Sequence, residues 1–137
     1  MSTLLLDAGV WVGAVDSSDP FHASARSLVF AFDQPVAAMD LTLYEVANVL
    51  GVRKEWRREA RYVSELIVRR CGGKRFVRPE PSLVDLAISI AAGQGLSAYD
   101  AAYVAAANAN GWTLVSADVA DLVSKDLAIT PDAAVYP

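Results

Sequence analysis

Short apolar runs alternate along this chain with longer stretches whose apolar residues recur at helical spacing. Residues 3–6 form an apolar run that predicts a buried strand, ended by Asp7. Over 22–33, HASARSLVFAFD, the residues Ala25, Leu28, Val29 and Phe32 mark one face of a helix. Residues 35–39 predict a second strand. A helix follows over 42–50, with Thr42 and Glu45 three apart as a capping pair. Residues 54–70 form a basic amphipathic helix in which Trp56, Val63, Leu66 and Ile67 lie among arginines, and Gly72 and Gly73 end it. Residues 75–78 predict a short strand stopped by Pro79 and Pro81. Residues 82–92 predict a helix with Ser82 and Asp85 as its capping pair, broken by Gly93 and Gly95. The alanine-rich stretch 97–110 predicts a helix with Ser97 and Asp100 at capping spacing and Gly111 as its stop. Residues 112–116 predict a strand, 118–123 a short helix, and 133–136 a last edge strand.

Strands alternating with helices imply an α/β fold, a mostly parallel central sheet sandwiched by helices. A length of 137 residues suggests a single domain over 1–137. Hydrophobic residues make up 54%, enough to cover a buried parallel sheet or a partner-facing surface. No apolar run approaches the ~20 residues of a membrane span, so no membrane association is expected. The first residues carry no basic stretch ahead of Leu4, and the chain reads as a mature cytoplasmic protein. The lone Cys71 agrees with a reducing compartment. With a single His22, the sequence offers no zinc pattern, and a Cys–His nucleophile pair is disfavoured. His22 reads as a helix-start surface residue, and Trp11, Trp56 and Trp112 as core or interface.

The net charge of −4 is unevenly spread. Residues 1–52 are net −5 and residues 81–137 net −5, but residues 53–80 hold ten basic and four acidic groups, net +6. A basic block in an acidic protein is a candidate polyanion contact. Arg53, Lys54, Arg57, Arg58 and Arg61 crowd one stretch and are the candidate RNA-binding residues. Arg69, Arg70, Lys74, Arg75 and Arg78 form a second group.

The acids have a different distribution. In an open parallel sheet, the carboxyl ends of the strands and the starts of the following helices share one rim, where ligands bind. Asp7 and Asp40 end strands, Glu45 and Asp100 sit near helix starts, Asp118 follows a strand by two residues, and Asp121 lies one turn further. Few basic residues are placed to pair with them; His22 and Lys125 are the nearest in sequence to Asp7 and Asp121. Clustered carboxylates raise one another's pKa unless neutralised, and a hard divalent ion such as Mg2+ is the usual neutraliser. Such an ion can polarise a phosphate or supply a nucleophilic water. Taken singly, Glu45, Asp100 and Asp118 read equally as helix caps, and Asp40 and Asp121 as solvated or capping acids. Asp7 is the least easily explained as structure, because an acid directly after Leu4-Leu5-Leu6 is costly if buried and unpaired.

The segments LLLDAGVWV, YEVANVL, LSAYDAAYVAAA and TLVSADVADL, in this order, resemble the PIN-domain family, and within it the VapC-type toxins of toxin–antitoxin pairs. The resemblance covers nearly the whole chain. It implies a parallel sheet between helices and a Mg2+- or Mn2+-dependent ribonuclease with Asp7, Glu45, Asp100 and Asp118 as its catalytic acids. Asp7, Asp100 and Asp118 are the expected metal ligands, directly or through water. Glu45 is either a ligand or the group that orients the attacking water. Ser116 matches the family's small hydroxyl residue beside the site, and Asp121 an additional acid of some members. Gly9 departs from the hydroxyl or amide residue that many members carry there. Asn48, one turn after Glu45, is a candidate substitute contact. The resemblance also implies a cognate antitoxin and a homodimer.

The expected function is therefore a metal-dependent endoribonuclease, the toxin of a type II toxin–antitoxin pair, hydrolysing RNA phosphodiesters. The alternative is a catalytically degenerate domain of the same fold that only binds RNA or a protein. A phosphoacceptor receiver or a haloacid-dehalogenase-like phosphatase fits poorly: the first wants paired acids after its first strand, and the second an Asp where Gly9 stands.

Overall fold

A computed structural model describes residues 2–136. The elements run β1 (Leu4–Leu6), α1 (Ala8–Val15), α2 (His22–Phe30), β2 (Val36–Met39), α3 (Asp40–Val46), α4 (Arg57–Arg70), β3 (Phe76–Val77), α5 (Pro81–Gln94), α6 (Ala98–Asn110), β4 (Thr113–Val115) and α7 (Pro131–Val135). The strands form a four-stranded sheet in the order β3-β2-β1-β4, and every pairing is parallel. The α/β class and the helix-covered parallel sheet are as the patterning predicts.

The side-chain period of a strand divides the core. Leu4 and Leu6 face one layer with Val36 and Ala38, where Trp11, Val29, Leu50 and Ile67 cover them. Leu5 faces the other with Ala37, Met39 and Leu114, beneath Tyr103, Val104 and Ala107. Both sides of β1 are therefore buried, which explains the unbroken LLL run. Ala87 of α5 packs against Ala101 and Ala105 of α6, small residues that let the two helices approach. No helix among the described residues is long and apolar enough to cross a membrane.

Several local expectations are corrected. α3 begins at Asp40, two residues before Thr42, so Thr42 is inside the first turn. Its hydroxyl accepts the Met39 N–H at 3.4 Å, and Glu45 lies in the second turn. α3 then runs on as a π-helical segment over Ala47–Arg53, closed by bonds such as Lys54 N–H to Val49 O at 3.1 Å. Trp56 therefore precedes α4. α5 starts at Pro81, whose missing N–H costs nothing there, and Ser82 caps nothing. It passes through Gly93 and ends at Gly95 in the left-handed conformation. Residues 133–136 are not a strand. Thr130 caps α7, and the bridge to Val115 is made earlier, by Ile129.

Arg70 does not belong to a surface basic group. It is 6% exposed, and its guanidinium donates to the carbonyls of Val29 (2.9 Å), Leu28 and Ala31 (3.2 Å each) and Gln34 (3.3 Å). It thus closes the carboxyl end of α2, whose last carbonyls have no helical partner.

Candidate metal centre

The topology places chain ends where chemistry is possible. β1 is central, and the next strand beside it in sequence order, β2, lies on one side while β4 lies on the other. That reversal opens a crevice at the carboxyl ends of β1 and β4. Asp7 leaves β1 there, its N–H still paired to Val115 O at 3.2 Å. Ser116 and Asp118 leave β4 beside it.

Asp7 caps α1 through its Oδ1, which accepts the Val10 N–H at 3.3 Å. Its Oδ2 accepts the Ser116 hydroxyl in a short hydrogen bond. Ser116 is fully buried, and its Oγ also accepts the Asp118 N–H at 2.9 Å, so one hydroxyl fixes both acids. Asp118 caps the π-helical turn Val119–Val123 by accepting the Asp121 N–H at 2.9 Å. Ser97 caps α6, its hydroxyl accepting the Asp100 N–H at 3.1 Å. The cap is made by the serine, whose side chain also hydrogen-bonds the Asp100 carboxyl and so opposes the rise that burial gives its pKa. One carboxylate oxygen each from Asp100, Asp118 and Asp121 lie within 4.8 Å of one another. Asp121 thus stands beside Asp100 and Asp118 as an equal member of the group.

Burial raises the Asp7 pKa to about 7, against the opposing pull of the Ser116 and Val10 hydrogen bonds, with Glu45 and Asp100 adding like charge. Although part of the residue stays accessible at the rim, its carboxyl is crowded by protein atoms. Burial also raises Glu45, opposed by the Tyr103 hydroxyl and reinforced by Asp100. Burial raises Asp100, followed by the charges of Asp118 and Asp121. Asp100 is therefore the acid that couples Asp7 and Glu45 on one side to Asp118 and Asp121 on the other.

Among the described residues, no basic side chain forms an ion pair with these acids. The ion pair among the described residues lies elsewhere, between Lys54 and Asp16 at 3.2 Å. Lys125 donates to Gln94 O at 2.6 Å, closing α5. His22 Nδ1 is bonded to Gly13 O at 2.7 Å. Cys71 is buried, its thiol pushed up to about 12 by desolvation, which leaves it inert as a nucleophile. A set of hard oxygen donors, drawn together without a basic partner, fits a hard divalent cation. The residues whose carboxylates stand close enough to share one are Asp100, Asp118 and Asp121, while Asp7 and Glu45 are near enough to feel the charge of Asp100 but lie outside that close group.

Other sequence-predicted residues lie outside this group. Asn48 is exposed and makes no side-chain hydrogen bond among the described residues. Asp40 opens α3 and lines a surface groove. A Cβ at Gly9 would stand 3.4 Å from Asp7 Oδ1 and 3.4 Å from Ala117 Cβ, so a side chain there would lean over the Asp7 carboxyl. Arg53, Arg57, Arg58 and Arg61 are exposed. Lys54 is engaged, paired with Asp16 and set 4.9 Å over the Trp56 ring. Arg53 is eight residues beyond Glu45, at the far end of the π-helical segment.

The patterning missed Tyr103. It is 2% exposed, and its hydroxyl lies 2.6 Å from Glu45 Oε1 and 2.6 Å from Thr42 Oγ1. The available signal was its place one turn after Asp100, on the same face of α6.

The fold is shared with solved proteins. PAE2754 from Pyrobaculum aerophilum superposes with a TM-score of 0.73 at 21% identity, over 98% of this chain and 88% of that one. VapC20 from Mycobacterium tuberculosis, a sarcin-ricin loop cleaving toxin, gives 0.69 at 20% identity over 85% and 91%. A toxin–antitoxin complex from Klebsiella pneumoniae contains a chain that gives 0.69 at 16% identity over 93% and 97%. Curated protein sequences provide no match. The PIN domain model matches residues 4–122, a span that holds both sides of the crevice and every acid described above, and the chain therefore belongs to the PIN domain family.

Proposed function

We propose that this chain is a Mg2+- or Mn2+-dependent endoribonuclease and the toxin of a type II toxin–antitoxin pair. The observation that carries the reading is the unneutralised carboxylate group around Asp100, set at the strand ends of a PIN domain. Family membership supports nuclease chemistry, and the toxins among the structural neighbours support the biological role.

Asp7, Asp100 and Asp118 are the proposed ligands, with Asp121 beside them. A bound divalent ion supplies charge neutralisation and an activated water for attack on a phosphodiester. The chain's own residues do the rest. Ser116 holds Asp7 and Asp118 in register through its two hydrogen bonds. Asp7, crowded by burial and held by Val10 and Ser116, would offer its carboxylate to the ion, whose charge would favour the ionised form. Glu45 is the proposed acceptor of the proton from the attacking water. Arg53, Arg57, Arg58 and Arg61, all exposed, are the proposed contacts for flanking phosphates of the RNA.

The proposed partners follow from surface and family together. Tyr44, Val68, Val84, Ile88 and Tyr99 are all largely exposed. The grooves they line share Asp40 and Leu41 and border β3, the edge strand. This apolar face supports a homodimer, and a monomer's mass by light scattering at micromolar concentration would remove it. A cognate antitoxin is the proposed second partner.

The test is RNA cleavage by the purified chain in Mn2+, in chelator, and with Asp100→Asn. Cleavage only by the wild type in Mn2+ is expected. Equal cleavage in chelator, or by the variant, contradicts the reading. RNA binding without cleavage would instead favour a catalytically degenerate binding module.

A further inference from the structure

Glu45 is the one acid of the crevice that is held by another ionisable side chain. Three oxygens stand in a row: Thr42 Oγ1, Tyr103 Oη and Glu45 Oε1, separated by 2.6 Å and 2.6 Å. Thr42 is fully buried and Tyr103 nearly so. The direction of the row is fixed by counting protons. A carboxylate only accepts, so the Tyr103 O–H donates to Glu45. The phenolic oxygen then accepts from the Thr42 O–H. The Thr42 oxygen in turn accepts the Met39 N–H at 3.4 Å. Every donor in the row is used once, and the row begins on the backbone at the end of β2.

This arrangement has consequences for the carboxylate. Oε1 accepts the phenol's hydrogen bond, which anchors the Glu45 carboxylate at one of its two oxygens. Asp100 and Tyr103 are one turn apart on α6, so a single helix places Asp100 directly and Glu45 through the phenol. The two acids repel each other, and the phenol opposes the outward swing that repulsion favours. A tyrosine present only for packing would need no acceptor at this point, since Thr42 alone could satisfy its hydroxyl.

We propose that Tyr103 is a positioning residue of the acidic crevice, holding Glu45 so that one carboxylate oxygen faces the metal ion or its bound water. The proposal rests on the metal-centre reading above. It assigns to Tyr103 a role that is exerted through Glu45 and not on the substrate.

The test is a four-protein cycle: wild type, Tyr103→Phe, Glu45→Gln and the double variant. Each is titrated with Mn2+ by calorimetry, and its RNA cleavage is resolved into kcat and KM. Loss of such a supporting contact typically weakens metal binding or activity by about tenfold or more. Tyr103→Phe is therefore expected to weaken Mn2+ binding about tenfold and to lower kcat with KM unchanged. In the Glu45→Gln background the same change is expected to alter Mn2+ affinity by less than about twofold, because its route of action is gone. A Tyr103→Phe protein that both binds Mn2+ and cleaves RNA like the wild type overturns the proposal. Equal losses in both backgrounds also overturn it, since they would mean a general loosening of the fold. If Tyr103→Phe does not fold, Tyr103→Met, which likewise removes the donor to Glu45, is held to the same comparison. A wild type that binds no Mn2+ overturns the metal-centre reading and the proposal together, which separates that failure from the others.

Discussion

Asp7 shows how a residue's setting and its chemistry oppose each other. Its carboxyl is held near a pKa of about 7, far above the 3.8 of an unconstrained aspartate. In the pH range between those values the folded chain binds more protons than the unfolded chain, so stability falls as pH rises from about 4 to about 7. A three-unit shift corresponds to a loss on the order of 4 kcal/mol. Asp7→Asn removes the charge, keeps an acceptor for the Val10 N–H and turns the Ser116 contact round so that the amide donates to the hydroxyl oxygen. In chelator the variant is expected to melt several degrees above the wild type at pH 8 and close to it at pH 4, as followed by calorimetry. Saturating Mn2+ should narrow or reverse the pH 8 difference, because an ion that binds only the folded wild type stabilises it. The crowded setting of Asp7 was legible from its place directly after Leu4-Leu5-Leu6. Tyr103 was not, because an aromatic residue in an alanine-rich helix looks like packing and its acceptor is 58 residues away.

At the scale of elements, the helix starts were the least legible. Thr42 and Glu45 have the spacing of a cap, yet β2 passes directly into α3 at Asp40, and Thr42 turns its hydroxyl inward to Tyr103. Pro131 was a legible signal for α7 that a short apolar stretch, AAVY, obscured. Arg70 stands four residues after Leu66 and three after Ile67, so helical spacing placed it on the buried face even though its charge suggested the surface. Its guanidinium joins the end of α4 to the end of α2. Arg70→Leu leaves those carbonyls without their donor and is expected to cost about 3 kcal/mol in denaturant unfolding. Arg69→Ala, exposed one residue earlier, should change stability by less than about 0.5 kcal/mol. Equal effects for the two would mean that the α2 carbonyls find water instead.

At the scale of the molecule, the sheet order does what no single motif does. Segments far apart in sequence bring Asp7, Glu45 and Asp100 within reach of one another's charge and set Asp100 against Asp118 and Asp121. The strand-helix alternation made that convergence legible, since a parallel sheet sends every strand's end to one rim. The relation of the basic stretch to the acids was not legible, because the π-helical extension of α3 carries Arg53 well beyond Glu45. The central claim is that the acids converge to hold a hard cation, and that Asp100 is their common member. Calorimetric titration of Mn2+ into the wild type and Asp100→Asn tests it most directly. Saturable binding by the wild type that is lost in a folded Asp100→Asn is the predicted result. Absence of binding in the folded wild type, or undiminished binding in the variant, would contradict the account.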